Sequence, residues 1–218
     1  MKNKTYSQLM IGKQTKIAPN SRQRIIVEGK RSMPPSFVVI DCETTGFGKQ
    51  DRIVEIAAVT LDGQSWETVD EYDTLINPER DTGPAHIHSI RDSMVENAPV
   101  FSDIAAALVQ KFQGAVLIAH NFPFDSRMLS YEFGRLGVDF NLGKGLCTMQ
   151  ACGGEKLSDA CNRYRIELNN HHAALADARA AAALAKRVLK NNFGHSSPAR
   201  FGDIPFPFSA QTLSRFRS

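Results

Sequence analysis

A chain of 218 residues has room for one good-sized domain plus some additional segment. Its apolar content of 42% and charged content of 22% are those of an ordinary soluble protein, and no run approaches the ~20 apolar residues that span a bilayer, so no membrane partner is expected. The net charge of +3 is unevenly spread: residues 1–35 hold eight Lys or Arg against one acid, Glu28, and the remainder is net acidic.

Such a basic arm fits either a polyanionic partner such as nucleic acid or a solvated leader. The opening "MKNKTYSQLMIGKQTK" has no continuous apolar core, so no secretory signal is expected and the chain reads as cytoplasmic. None of Cys42, Cys147, Cys152 and Cys161 forms a CxxC pair, which argues against structural zinc and for small buried thiols.

In chain order, a short strand is conceivable at "RIIVEG" (24–29), followed by a linker at "SMPPS". "SFVVIDC" is a continuous apolar, β-branched run and predicts a buried central strand. "DRIVEIAAVTLDG" predicts a second strand, and "WETVDEYDTLINP" a third with the polar alternation of an outer position. Short connections make the three antiparallel neighbours. Residues 98–114 predict a helix stopped by Gly114, 115–120 a short buried strand, and 124–137 a second helix. A short helix is expected over 156–166 and a long alanine-rich one over 171–190. From about Asn191 the chain turns Pro-, Gly- and Ser-rich and reads as a tail. The order predicts an α/β fold, a mixed five-stranded sheet flanked by helices in a ribonuclease H-like arrangement. The expected organisation is an N-terminal extension (1–35), a body (36–190) and a tail (191–218).

Three acidic clusters interrupt this pattern. Asp41 and Glu43 lie two apart on a strand and so project from one face. Two carboxylates this close raise each other's pKa unless a cation neutralises them, and hard divalent ions favour such oxygens. A solvent-exposed turn beginning at Thr44 would also account for them. The "TTG" that follows forces a sharp exit from the strand and brings backbone N–H groups forward, where a phosphate or terminal sugar could be held. Asp125 follows a buried strand and opens a helix, where a helix N-cap is the commonplace role. His120, at the strand end, reads as a hydrogen-bonded structural histidine. Asp177 shares a helix face with Ala181, Leu184 and Val188 at 100° per residue. An acid there faces protein and needs a metal, a cation or strong hydrogen bonds. His172 lies about 140° away on an ideal helix, so a lead-in turn is expected to carry it. His171 competes with it, and the spacing to Asp177 selects His172.

In this order, "VIDCETTGF", "IAHNFPFD" and "HHAALADA" resemble the three motifs of the DEDDh family of 3'–5' exonucleases, within it the group of bacterial DNA polymerase III proofreading epsilon subunits and their stand-alone relatives. The resemblance spans about Phe37 to Leu189. It implies that Asp41, Glu43, Asp125 and Asp177 bind two divalent cations, Mg²⁺ or Mn²⁺, with His172 as general base. It implies that Thr44, Thr45, Gly46 and Phe47 line the terminal-nucleotide pocket and that His88 meets the terminal sugar or phosphate. The reaction implied is release of nucleoside 5'-monophosphates from a DNA 3' end. An RNA-trimming enzyme of the same superfamily and a catalytically silent nucleic-acid-binding or docking subunit are the alternatives. A DNA polymerase is a further candidate partner. The chain departs from the pattern at Ser89, where glycine is usual, at the bulky Phe122-Pro123, and in a short 147–157 segment.

Overall fold

The computed structural model describes residues 36–138 and 145–190. The basic arm with its candidate strand at 24–29, and the tail from 191, lie outside the described residues. Strands β1 (Ser36–Thr44), β2 (Ile53–Asp62), β3 (Thr68–Leu75), β4 (Ala115–Ala119) and β5 (Leu146–Cys147) form a five-stranded sheet in the order β3-β2-β1-β4-β5. β1 is central, as its apolar run predicts. It pairs antiparallel with β2, from Ser36 opposite Asp62 to Glu43 opposite Glu55, and parallel with β4, from Ser36 beside Ala115 to Val39 beside Ile118. The helices are α1 (Ala85–His88), α2 (Asp92–Val95), α3 (Phe101–Phe112), α4 (Phe122–Arg135), α5 (Thr148–Ala151), α6 (Leu157–Tyr164) and α7 (Ala174–Val188). None of the described helices is long and apolar enough to cross a membrane.

The two-residue period of β1 divides the core. Val38, Ile40 and Cys42 join Ile104, Leu108, Met128 and Phe133 of α3 and α4 on one face. Phe37 and Val39 join Ala174, Ala178, Ala181, Ala182 and Ala185 of α7 on the other. With only methyl groups at those positions, α7 can lie close against the sheet. Asp41 and Glu43 continue the α7 face beyond the last apolar residue, and Cys42 continues the opposite one.

Several boundaries differ from the sequence reading. α4 begins at Phe122, with Asn121 as N-cap and Pro123 in the first turn, so Asp125 lies inside the helix and is not its cap. α7 begins at Ala174, because Asn170 and His172 have left-handed φ values of 56° and 70° and cannot continue a helix. The fifth strand is the two-residue β5, too short to show a period. Ser89, at the glycine position of the family pattern, is left-handed (φ 62°) at the end of α1, which is the conformation glycine adopts most readily. Cys42, Cys152 and Cys161 are buried free thiols and Cys147 is half-buried.

A buried ion pair fixes the β1–β2 loop to the far end of α4. Arg52 Nε donates to both oxygens of Glu132 at 2.9 and 3.1 Å, and the Ile53 N–H donates to Glu132 Oε1 at 3.1 Å. Arg52 also donates to the Pro78 carbonyl at 3.1 Å, and Arg135 to the carbonyls of Lys49 and Asp51 at 2.7 and 2.9 Å. Glu132 is 1% exposed. Removing one partner of such a pair strands the other charge away from water. Glu132→Ala should therefore lower the unfolding free energy by about 3 kcal/mol in urea titration, with a smaller loss for Glu132→Gln.

Candidate metal and nucleotide site

The C-terminal ends of the parallel neighbours β1 and β4 open on the same rim of the sheet, and the acids gather there. Asp41 and Glu43 descend from β1. Asp177, 4% exposed in the first turn of α7, reaches them from the helix side. Ligand oxygens of these three residues lie within 4.8 Å of one another. Asp125, 3% exposed in the first turn of α4, approaches from the opposite face, beside Cys42.

Electrostatics shows that this is an acidic cluster without internal relief. Burial raises the Asp41 pKa well above the usual carboxylate range, and the charges of Asp125, Asp177, Glu43 and Glu55 raise it further. Burial, followed by Asp177, Glu55 and Asp125, pushes Glu43 up to about 8. Burial lifts Asp125 to about 7 against the lowering effect of its backbone and Cys42 hydrogen bonds. Among the described residues no Lys or Arg pairs with Asp41, Glu43, Asp125 or Asp177. Arg179, on the same helix as Asp177, instead donates to Glu71 at 3.0 Å. Clustered oxygens that favour protonation for want of a cation suit a hard divalent ion.

The histidines divide their roles differently from the sequence reading. His171 Nδ1 lies 3.0 and 2.9 Å from the two oxygens of Asp177. His172 meets Asp177 through its backbone N–H, at 3.2 Å, and its ring stacks on His171 with centroids 3.9 Å apart. Burial and then His171 lower the His172 pKa, while Asp177 raises it. The expected lead-in turn is present, and it brings both histidines to the cluster. His88 is 4% exposed. Its Nδ1 accepts from the Ile90 N–H at 3.1 Å, so Nε2 carries the proton, and that atom has no hydrogen-bond partner. His172 contributes to the depressed pKa of His88, after burial, which puts the two in one electrostatic neighbourhood. His120 is structural as expected. Nε2 lies 3.0 Å from the Glu155 carbonyl and so donates, which leaves Nδ1 to accept from the Thr148 hydroxyl at 3.0 Å.

The loop after β1 is built by its own polar groups. Thr44 Oγ1 donates to the Gly46 carbonyl at 2.8 Å, and Thr45 Oγ1 donates to Asp51 at 3.0 Å while accepting from the Arg52 N–H at 3.1 Å. The Thr45 N–H is taken by the Arg52 carbonyl and the Gly48 N–H by Asp51, while the Gly46 and Phe47 amides have no hydrogen-bond partner among the described residues. Phe47 is 72% exposed and meets Phe124 edge-on at 5.7 Å.

Two contributors escaped the sequence reading. Glu55 faces Glu43 across β1–β2 and accepts the Ala174 N–H at 3.0 Å, tying the start of α7 to β2. It shares a strand face with Ala57 and Val59, so the period that singles out Asp41 and Glu43 could have found it. The other is Cys42, which adjoins Asp125 on the α3–α4 face, a contact between distant segments that no spacing reveals.

Gly83 supports the loop from the side. At φ 80°, a Cβ there would sit 2.3 Å from the Thr45 carbonyl oxygen. Gly83→Ala should destabilise the fold by about 1–2 kcal/mol from backbone strain alone. It should also shift the backbone amide NMR signals of Thr45, Gly46 and Phe47.

The exonuclease family model matches residues 38–185. Over 186 residues the chain is 30% identical to a PolC-type DNA polymerase III of Bacillus subtilis, covering 80% of this chain and 12% of that protein. It is 34% identical over 118 residues to the DNA polymerase III subunit epsilon of Pasteurella multocida, covering 50% of this chain and 46% of that one. The chain thus spans a small part of the polymerase and under half of the subunit. A solved 3'-exonuclease with a histone mRNA stem-loop shares the fold, with TM-score 0.64 and 17% identity over 73% of this chain and 84% of that one.

Proposed function

The chain belongs to the exonuclease family, with the features of its DEDDh type, and on that premise we propose that it hydrolyses the terminal phosphodiester at a DNA 3' end to release a nucleoside 5'-monophosphate. The observation that carries this reading is the meeting of Asp41, Glu43 and Asp177 within 4.8 Å, with no Lys or Arg pairing with them among the described residues. Those three, with Asp125, would hold two divalent ions, Mg²⁺ or Mn²⁺. When bound, such ions supply Lewis-acid stabilisation of phosphate charge and make water a better nucleophile at neutral pH.

The chain's own groups then have definable tasks. His172, held neutral by burial and by His171, is suited to accept a proton from the attacking water. The water oxygen forms a bond to phosphorus, the bond from phosphorus to the departing 3'-oxygen breaks, and that oxygen takes up a proton. His88 Nε2–H is a buried donor without a protein acceptor, fit to receive a sugar or phosphate oxygen. The Gly46 and Phe47 amides and the exposed Phe47 ring offer a polar and an apolar surface to the last nucleotide. A site reached by an unpaired end favours single-stranded or frayed termini, because separating a mismatch costs less than separating a matched pair.

Kinship with polymerase III sequences supports DNA over RNA, and makes a DNA polymerase a candidate partner. In the same reading, residues 36–190 are the exonuclease domain, with the basic arm 1–35 adding phosphate contacts and 191–218 forming a tail.

With Mg²⁺ and a 3'-labelled single-stranded DNA, Asp41→Ala and Asp177→Ala should abolish release of monophosphates while circular dichroism remains that of the wild type. His172→Ala should lower kcat by about 10²- to 10⁴-fold with little change in Mg²⁺ affinity. Wild-type turnover from Asp177→Ala would end the proposal, and faster digestion of a matched RNA oligomer would reassign the substrate.

A further inference from the structure

Asp177 belongs to two groups of ligand atoms. One is the all-oxygen set with Asp41 and Glu43. The other is Asp177 with His171 and His172, again with one ligand atom from each residue and all within 4.8 Å of one another. The hydrolytic reading uses the first set and the His172 ring, and gives His171 only an indirect part through its effect on His172. Yet His171 is drawn onto Asp177, with Nδ1 2.9 Å from Oδ2, and the turn that delivers it contains His172 at a φ of 70°. A non-glycine residue in that conformation is costly and persists only where its surroundings hold it. Here the hold is the His172 N–H bonded to Asp177, and the result is two imidazoles stacked 3.9 Å apart beside one buried carboxylate. Both rings have a solvent-exposed side.

We propose that His171, His172 and Asp177 form an inhibitory Zn²⁺ site that overlaps the hydrolytic centre at Asp177. Two imidazole nitrogens and one carboxylate oxygen, with solvent free to supply a fourth ligand, are a donor set that Zn²⁺ accepts readily. Mg²⁺ gains little from it, because it prefers oxygen donors. In the structure His171 Nδ1 donates to the Asp177 carboxylate; for Nδ1 to ligate, the ring hydrogen moves to Nε2 and the ion takes the hydrogen's place between ring and carboxylate. Occupancy removes Asp177 from the all-oxygen set and engages the lone pair that His172 needs for water. Zn²⁺ therefore opposes Mg²⁺-supported turnover without competing for Asp41 or Glu43. The inhibitory consequence rests on the exonuclease reading; the ion site itself does not.

The test uses the full chain and His171→Ala. The replaced side chain is partly exposed on a turn, and circular dichroism and melting temperature verify that the fold is retained. Zn²⁺ binding is measured by calorimetry at saturating Mg²⁺, and Co²⁺ absorption in the visible region reports nitrogen ligation. Wild type should bind one Zn²⁺ per chain with Co²⁺ bands of nitrogen coordination. His171→Ala should lose those bands and weaken Zn²⁺ binding by about 10-fold or more, at least what losing an outer-shell partner costs. Measured against each protein's own Zn²⁺-free rate, the Zn²⁺ concentration for half-inhibition should rise by the same factor as the dissociation constant. Equal Zn²⁺ affinity in the two proteins would overturn the proposal, because the ion would then sit among the carboxylates alone. Absence of Zn²⁺ binding to wild type would overturn it too. A chain that binds Zn²⁺ through His171 but hydrolyses no nucleic acid would defeat the exonuclease reading and leave the site standing. Normal hydrolysis with no His171-dependent binding would do the reverse.

Discussion

The mutual repulsion of buried carboxylates is the constraint around which this domain is arranged. Asp41, Glu43 and Asp125 all have their pKa values raised, by burial first and, for Asp41 and Glu43, by neighbouring negative charge. Nothing in ordinary folding energetics favours such a gathering. It is held by strong apolar contacts on both sides: the α3–α4 layer under Ile40 and Cys42, and the alanine face of α7 against Phe37 and Val39. The cluster sits where those contacts stop, at the rim where strand ends and helix starts meet. The hydrophobic core thus stabilises an arrangement that electrostatics alone would push apart.

The helix starts matter beyond position. Asp125 and Asp177 both lie in first turns, where the helix dipole favours negative charge. Asp177 is also steadied by a specific donor, the His172 backbone N–H. Glu55 completes the scheme by accepting the first N–H of α7. The lateral placement of Asp177 thereby depends on a β2 carboxylate that touches neither water nor phosphate in the proposed reaction.

Much of this could be read from residue order because burial imposes periods. A two-residue period exposes Asp41 and Glu43 as acids on an apolar face, and a 3.6-residue period does the same for Asp177. The central strand, the antiparallel β1–β3 unit and helices α3, α4, α6 and α7 follow from similar patterns. What was missed has no period. β5 has two residues, and α1, α2 and α5 have four each, too few to repeat. Whether Asp125 caps its helix or faces inward turns on a start point two residues earlier than expected. The arrival of both His171 and His172 at Asp177 turns on the left-handed residues Asn170 and His172, a bend that counting along an ideal helix cannot anticipate.

The Arg52–Glu132 pair carries an implication for how the cleft opens. It joins the loop that bears Phe47 to the helix that bears Phe124, at a point remote from both rings. The two rings, which already meet edge-on at 5.7 Å, are consequently mounted on one braced frame.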